Sequence, residues 1–121
     1  MIKVITDLPN NILGFEASGI VSADDYENVI IPAVDAADKG DHKLRMLYHV
    51  TKDFEKFELG AMWDDAKVGF NHLTSFEKVA VVTDVDWIRF ALKVFAFVVP
   101  GQVRLFNNED VSEAKDWLAA D

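Results

Sequence analysis

The sequence predicts an α/β protein with a mostly parallel five-stranded sheet and four helices, in the order β-β-α-β-α-β-α-β-α. Three observations predict it. Short β-branched and apolar runs alternate with stretches whose apolar residues recur every three or four positions. Strands alternating with helices in this way call for a parallel sheet joined by right-handed crossovers. The first two apolar runs are separated only by the turn signal Asp7-Leu8-Pro9-Asn10-Asn11, so the chain opens as a hairpin and adds one antiparallel edge.

Residues 2–6, IKVIT, form the first strand, and residues 12–20 the second, with Leu13, Phe15 and Ala17 alternating against Gly14, Glu16 and Ser18. Ser22-Ala-Asp-Asp25 reads as a capping box with Asp in the usual Glu place. It opens a helix whose apolar face is Tyr26, Val29, Ile30, Ala33, Val34 and Ala37. Pro32 lies inside that pattern, so the helix is expected to kink or restart there. Residues 44–50, LRMLYHV, read as a buried central strand, followed by a mixed charged and aromatic loop over 51–57. A helix over 59–73 carries Leu59, Met62, Trp63, Ala66, Phe70 and Leu73 at helical spacing. Residues 76–83 are a strand, 102–106 the last strand. The final helix is capped by Asn108 or Asp110 and faces inward with Val111, Ala114, Trp117 and Leu118.

Between the last two strands lies VDWIRFALKVFAFVV, residues 85–99, preceded by Asp84 as expected N-cap and stopped by Pro100-Gly101. At about 100° per residue its apolar side chains fall in two stripes. Ile88, Leu92, Phe95 and Val99, flanked by Ala91 and Val98, make the first; Trp87, Phe90, Val94 and Phe97 make the second. A helix on one face of a sheet needs a single apolar stripe, so the second needs cover of its own: another part of the fold, a second subunit, an apolar ligand or a membrane surface.

The 121 residues are expected to form one domain spanning 1–121, half hydrophobic and with nine Phe and three Trp. A net charge of −9 without a basic stripe argues against nucleic acid and against tight binding to anionic lipid. Cysteine is absent, so no disulfide or thiol chemistry is available. No apolar run reaches the roughly 18 residues of a membrane span, and the first residues lack the pattern of a signal peptide. A cytoplasmic location follows as the expectation, with peripheral contact to the inner face of the membrane allowed.

Catalytic patterns are missing. His42, His49 and His72 share no metal-binding spacing, so no metal or other cofactor is expected, and His49 reads as a hydrogen-bonded core or cleft histidine. The carboxylate pairs Asp64-Asp65 and Asp84/Asp86 read as solvated or capping groups. No nucleophile elbow, phosphate loop or dinucleotide fingerprint occurs.

Four strings, SADDYENVIIPAVDAA, FELGAMWDDAK, VAVVTDVDWIRF and PGQVRLFNNEDVSEAKDWL, cover most of the chain and resemble the SpoIIAA-like family. That family is related to the STAS domain of anti-sigma-factor antagonists and more distantly to CRAL-TRIO lipid-transfer domains. The first relationship implies a protein-interaction regulator switched by phosphorylation of a Ser before a helix; the matching segment 50–57 has no Ser, only Thr51 followed by bulky Phe54. The second implies a lipid held behind a movable helical gate, with the doubly apolar helix as gate. The favoured reading is therefore a non-enzymatic domain that binds an apolar or lipid-like molecule, or touches membrane reversibly. Its expected site is Trp87, Phe90, Val94 and Phe97, with Phe54 and Phe57 beside them and Arg89 and Lys93 as edging cations. The alternative is a STAS-type interaction regulator or a homodimer.

Overall fold

The computed structural model describes residues 1–9, 11–38, 43–58, 76–95 and 101–120. Five strands form one sheet in sequential order: β1 (Ile2–Val4), β2 (Ile12–Val21), β3 (Leu44–Phe57), β4 (Phe76–Val82) and β5 (Gln102–Phe106). β1 pairs antiparallel with β2, Ile2 opposite Ala17 and Val4 opposite Phe15; every later pairing is parallel. The expected hairpin and parallel sheet are both present. Sequential parallel strands joined by crossovers of one hand place their connecting helices on one face. Accordingly, Tyr26, Ile30 and Val34 from the first helical segment and Ile88 from a later helix share one core with Phe15, Ala17, Leu44 and Val50. The opposite face is covered by the last helix, α4 (Val111–Ala119), through Ala114 and Leu118 against Ile12, Leu47, Ala80 and Val82.

The first helical segment is broken into three. α1 (Ala23–Asp25) opens with the expected capping box, Asp25 N–H donating to Ser22 Oγ and Ser22 N–H to the Asp25 carboxylate. A π-helical turn, Tyr26–Ile30, follows, closed by Ile31 N–H donating to the Tyr26 carbonyl. α2 (Ile31–Ala37) then restarts with Pro32 in its first turn. Pro32 has no N–H to donate and its ring crowds the turn before it, so the wider turn makes room. Buried Tyr26 reaches from this turn to the sheet, its hydroxyl 2.9 Å from that of Tyr48.

The loop expected over 51–57 is instead the second half of β3. Gly19, at φ +57°, breaks the register of β2, after which Gly19 stands opposite Phe54, Ile20 opposite Lys56 and Val21 opposite Phe57. The charges that read as loop, Lys52, Asp53, Glu55 and Lys56, are exposed along an extended strand, while Phe54 and Phe57 lean on the core. Their spacing of three fits no regular strand; the bulge accommodates it.

At the other edge, Gly101 brings β5 against β4 so closely that a Cβ would stand 2.5 Å from the Phe76 carbonyl oxygen. The helix expected over 59–73 lies outside the described residues, as do His42 and His72. The described residues hold three of the four expected helical regions.

Candidate functional site

α3 (Asp86–Phe95) is the described part of the two-stripe helix. The described side chains of its first stripe face the core: Ile88 is 6% exposed and Leu92, partly buried, packs against the same cluster. The two described side chains of its second stripe lie open. Trp87 is 49% exposed and Phe90, one turn on, 72%. The sheet continues this surface. Phe54 and Phe57 pack with ring centroids 4.8 Å apart and planes tilted by 55°, and the Phe57 ring meets Trp87 edge-on at 5.9 Å. The structure thus brings Phe54, Phe57 and Trp87 into one aromatic row, with Phe90 beyond Trp87 on the same helix. Val94 lies within α3, where only the backbone is described, and Phe97 lies outside the described residues.

The two expected edging cations differ. Lys93 is exposed. Arg89 is not a free cation at the rim: its guanidinium donates to the Thr83 carbonyl at 3.0 Å and the Phe106 carbonyl at 3.4 Å. Both carbonyls sit where β4 and β5 end, so Arg89 ties α3 to the sheet. The Phe106 carbonyl also accepts the Thr83 N–H at 2.9 Å, so Arg89 adds a second donor there and supplies one to the Thr83 carbonyl, as a guanidinium with five N–H groups can.

The N-terminus of α3 is also built differently from expectation. Thr83 Oγ1, fully buried, accepts the Val85 N–H at 3.1 Å. Asp84, expected as the cap, turns to Asn108, accepting its backbone N–H at 3.0 Å and its side-chain Nδ2 at 3.1 Å. These donors, with lesser help from Lys52 and Arg89, hold the Asp84 carboxyl below the usual carboxylate range. Asn108 in turn meets His49, Oδ1 to Nε2 at 2.6 Å. His49 is hydrogen-bonded, as expected, at the last register pair of β3 and β4. With both ends occupied, the Asn108 side chain does not cap α4, nor does that of Asp110; a 3₁₀ turn over Asn108–Asp110 leads into the helix.

Sequence reasoning missed two buried cations. Arg45 and Lys78, each 8% exposed, sit in neighbouring strands and point to the end of α4. Arg45 donates to the Leu118 and Ala120 carbonyls and pairs with Glu77 at 2.9 Å. Lys78 donates to the Trp117 and Ala120 carbonyls at 2.9 and 2.7 Å and lies over the Trp117 ring. The last carbonyls of a helix lack intrahelical donors and carry its negative end, so two cations complete it. The signal was available: a cation inside an apolar strand must find acceptors.

Among the described residues no three His, Asp or Glu side chains gather closely enough to hold a metal ion. No described helix is long and apolar enough to cross a membrane.

A crystal structure of an uncharacterised DUF3478-family protein with a SpoIIAA-like fold, from Shewanella loihica PV-4, superposes with a TM-score of 0.79. The two are 26% identical, over 98% of this chain and 94% of that one. No curated protein matches the chain. The family match itself runs from residue 12 to residue 119, from the start of β2 to the last turn of α4. On that span, and on the sequential sheet that it encodes, this chain belongs to the SpoIIAA-like family.

Proposed function

We propose that this protein is a non-enzymatic interaction module that docks another protein on the aromatic row of Phe54, Phe57, Trp87 and Phe90. One observation carries the reading: Phe90 stands 72% exposed beside a half-exposed Trp87, on a helix held to the sheet by Ile88 and Arg89. Burying a large apolar side chain contributes about 1.5–3 kcal/mol, and aromatic anchors dominate protein interfaces. The row is presented without any movement of the helix. Family membership supports the same reading through the relationship to STAS-type regulators.

A second reading keeps the surface and changes the occupant to an apolar or lipid-like molecule or a membrane, with the helix swinging outward as a gate. Exposed Lys93, one turn from Phe90, favours it as a headgroup contact. With Arg89 engaged by carbonyls and a net charge of −9, such contact would be weak.

A photo-crosslinking residue at position 90, in the cell the protein comes from, separates the two. The interaction module gives a discrete protein adduct from position 90, none from position 113 on exposed Glu113, and loses it on adding Trp87→Ser. No adduct at 90, with co-sedimentation on neutral phosphatidylcholine vesicles that Trp87→Ser abolishes, would establish the lipid reading instead.

A further inference from the structure

The three side chains at the C-terminal edge of the sheet, His49, Asn108 and Asp84, fix one another in a way that the aromatic row does not require. Asp84 is a carboxylate and can only accept. The Asn108 group 3.1 Å from it is therefore the amide Nδ2, which leaves Oδ1 facing the imidazole. An amide oxygen only accepts, so His49 Nε2, 2.6 Å away, carries a hydrogen and donates it. In the neutral ring the second nitrogen then has a lone pair. None of the described residues donates to Nδ1, and His49 is partly exposed. The backbone adds rigidity: Asn108 N–H also binds Asp84, and His49, Val82 and Phe106 follow one another across β3, β4 and β5.

We propose that His49 is a preset hydrogen-bond acceptor, locked by Asp84 through Asn108 as the Nε2–H tautomer, whose Nδ1 takes a neutral hydroxyl or amide N–H of a bound ligand. A hydroxyl or amide N–H suits the place because a neutral imidazole nitrogen accepts from either without a change of charge on either partner. Asn108 is the positioning residue and His49 the contacting one. The site is independent of the aromatic row, and either can stand without the other.

Nitrogen NMR of the full chain at about pH 8, where an ordinary histidine is neutral, tests the lock. The expected spectrum shows a slowly exchanging His49 Hε2 proton on a protonated Nε2, with Nδ1 at the unprotonated position. Asn108→Ala loses the Hε2 signal to solvent exchange, and so does Asp84→Asn, which frees the amide to flip; unchanged backbone spectra confirm that both variants fold. An Hδ1 proton, or an Hε2 signal that survives in both folded variants, overturns the lock. Diethyl pyrocarbonate, which acylates an unprotonated imidazole nitrogen, tests the acceptor. The peptide containing His49 is expected to gain one carbethoxy group in the native protein. A His49 that stays unmodified until the chain is unfolded means that Nδ1 is covered, and the site is refuted.

Discussion

Trp87 stands edge-on to Phe57, ring centroids 5.9 Å apart and planes at 83°. This contact joins α3 to the far end of β3 and turns two separately exposed elements into one surface. It depends on β3 running past Val50 to Phe57, since a loop at 51–57 would hold Phe57 nowhere in particular.

The two stripes of α3 should respond unequally to truncation. Ile88→Ala removes a buried side chain and is expected to cost about 2–5 kcal/mol, whereas Phe90→Ser should stay within about 1 kcal/mol. Urea unfolding of the two variants decides. Equal and large losses would mean that Phe90 is core and that the aromatic row is not a surface.

Lys78→Met should loosen the end of the chain more than the centre of the sheet. It leaves the Trp117 carbonyl without its side-chain donor and the Ala120 carbonyl with Arg45 alone, a loss of about 1–3 kcal/mol. Faster amide hydrogen exchange over residues 114–120, with β3 and β4 unchanged, is the expected pattern. Arg45→Met should act on the same carbonyl end through Leu118 and Ala120, and leave Glu77 unpaired as well.

Asp84 should make the fold sensitive to acid. Its carboxyl is held low chiefly by the Asn108 backbone N–H and then by the Asn108 side chain. A carboxylate lowered in the folded state stabilises it fully above the unfolded value of about 3.9, and that stabilisation is lost as pH falls through the folded value. Carboxyl NMR should find Asp84 titrating below the ordinary range in the native chain and moving up towards it in Asn108→Ala. The group is exposed, so the difference should shrink at high salt. An Asp84 titration indifferent to Asn108→Ala contradicts the geometry.

Thr51 should carry no phosphate. It lies within β3, its hydroxyl donating to the Ala17 carbonyl at 3.2 Å and accepting the Asp53 N–H at 3.3 Å, rather than before a helix where a STAS switch is expected. Intact mass of protein isolated from its own cells should show no addition of one phosphate. Stoichiometric phosphate on Thr51 would restore a phosphorylation switch.

Much of this was legible locally. The strand and helix periods, the capping box at Ser22, the restart at Pro32 and the inward face of α4 each depend on residues a few positions apart, and each is found in place. The contrast between buried Ile88 and exposed Phe90 was also legible, because two apolar faces cannot both lie on one sheet. What went unread involves partners distant in the chain. Charge density made 51–57 look like a loop; strand pairing with β2, across a glycine bulge, overrode it. Arg89 looked like a rim cation until the ends of β4 and β5 supplied carbonyls, 6 and 17 positions away.

The sequence by itself determined the order of the described elements, the family and a helix with apolar residues on two faces, because hydrophobic period and local caps are written in neighbouring positions. Only the tertiary structure decided that Phe57 meets Trp87, that Arg45 and Lys78 close α4 from 73 and 39 positions away, and that Asp84 serves His49 through Asn108. A buried or strand-end polar group takes whichever partner the fold brings within hydrogen-bond reach, and that distance is set by sheet register and helix packing, not by separation along the chain.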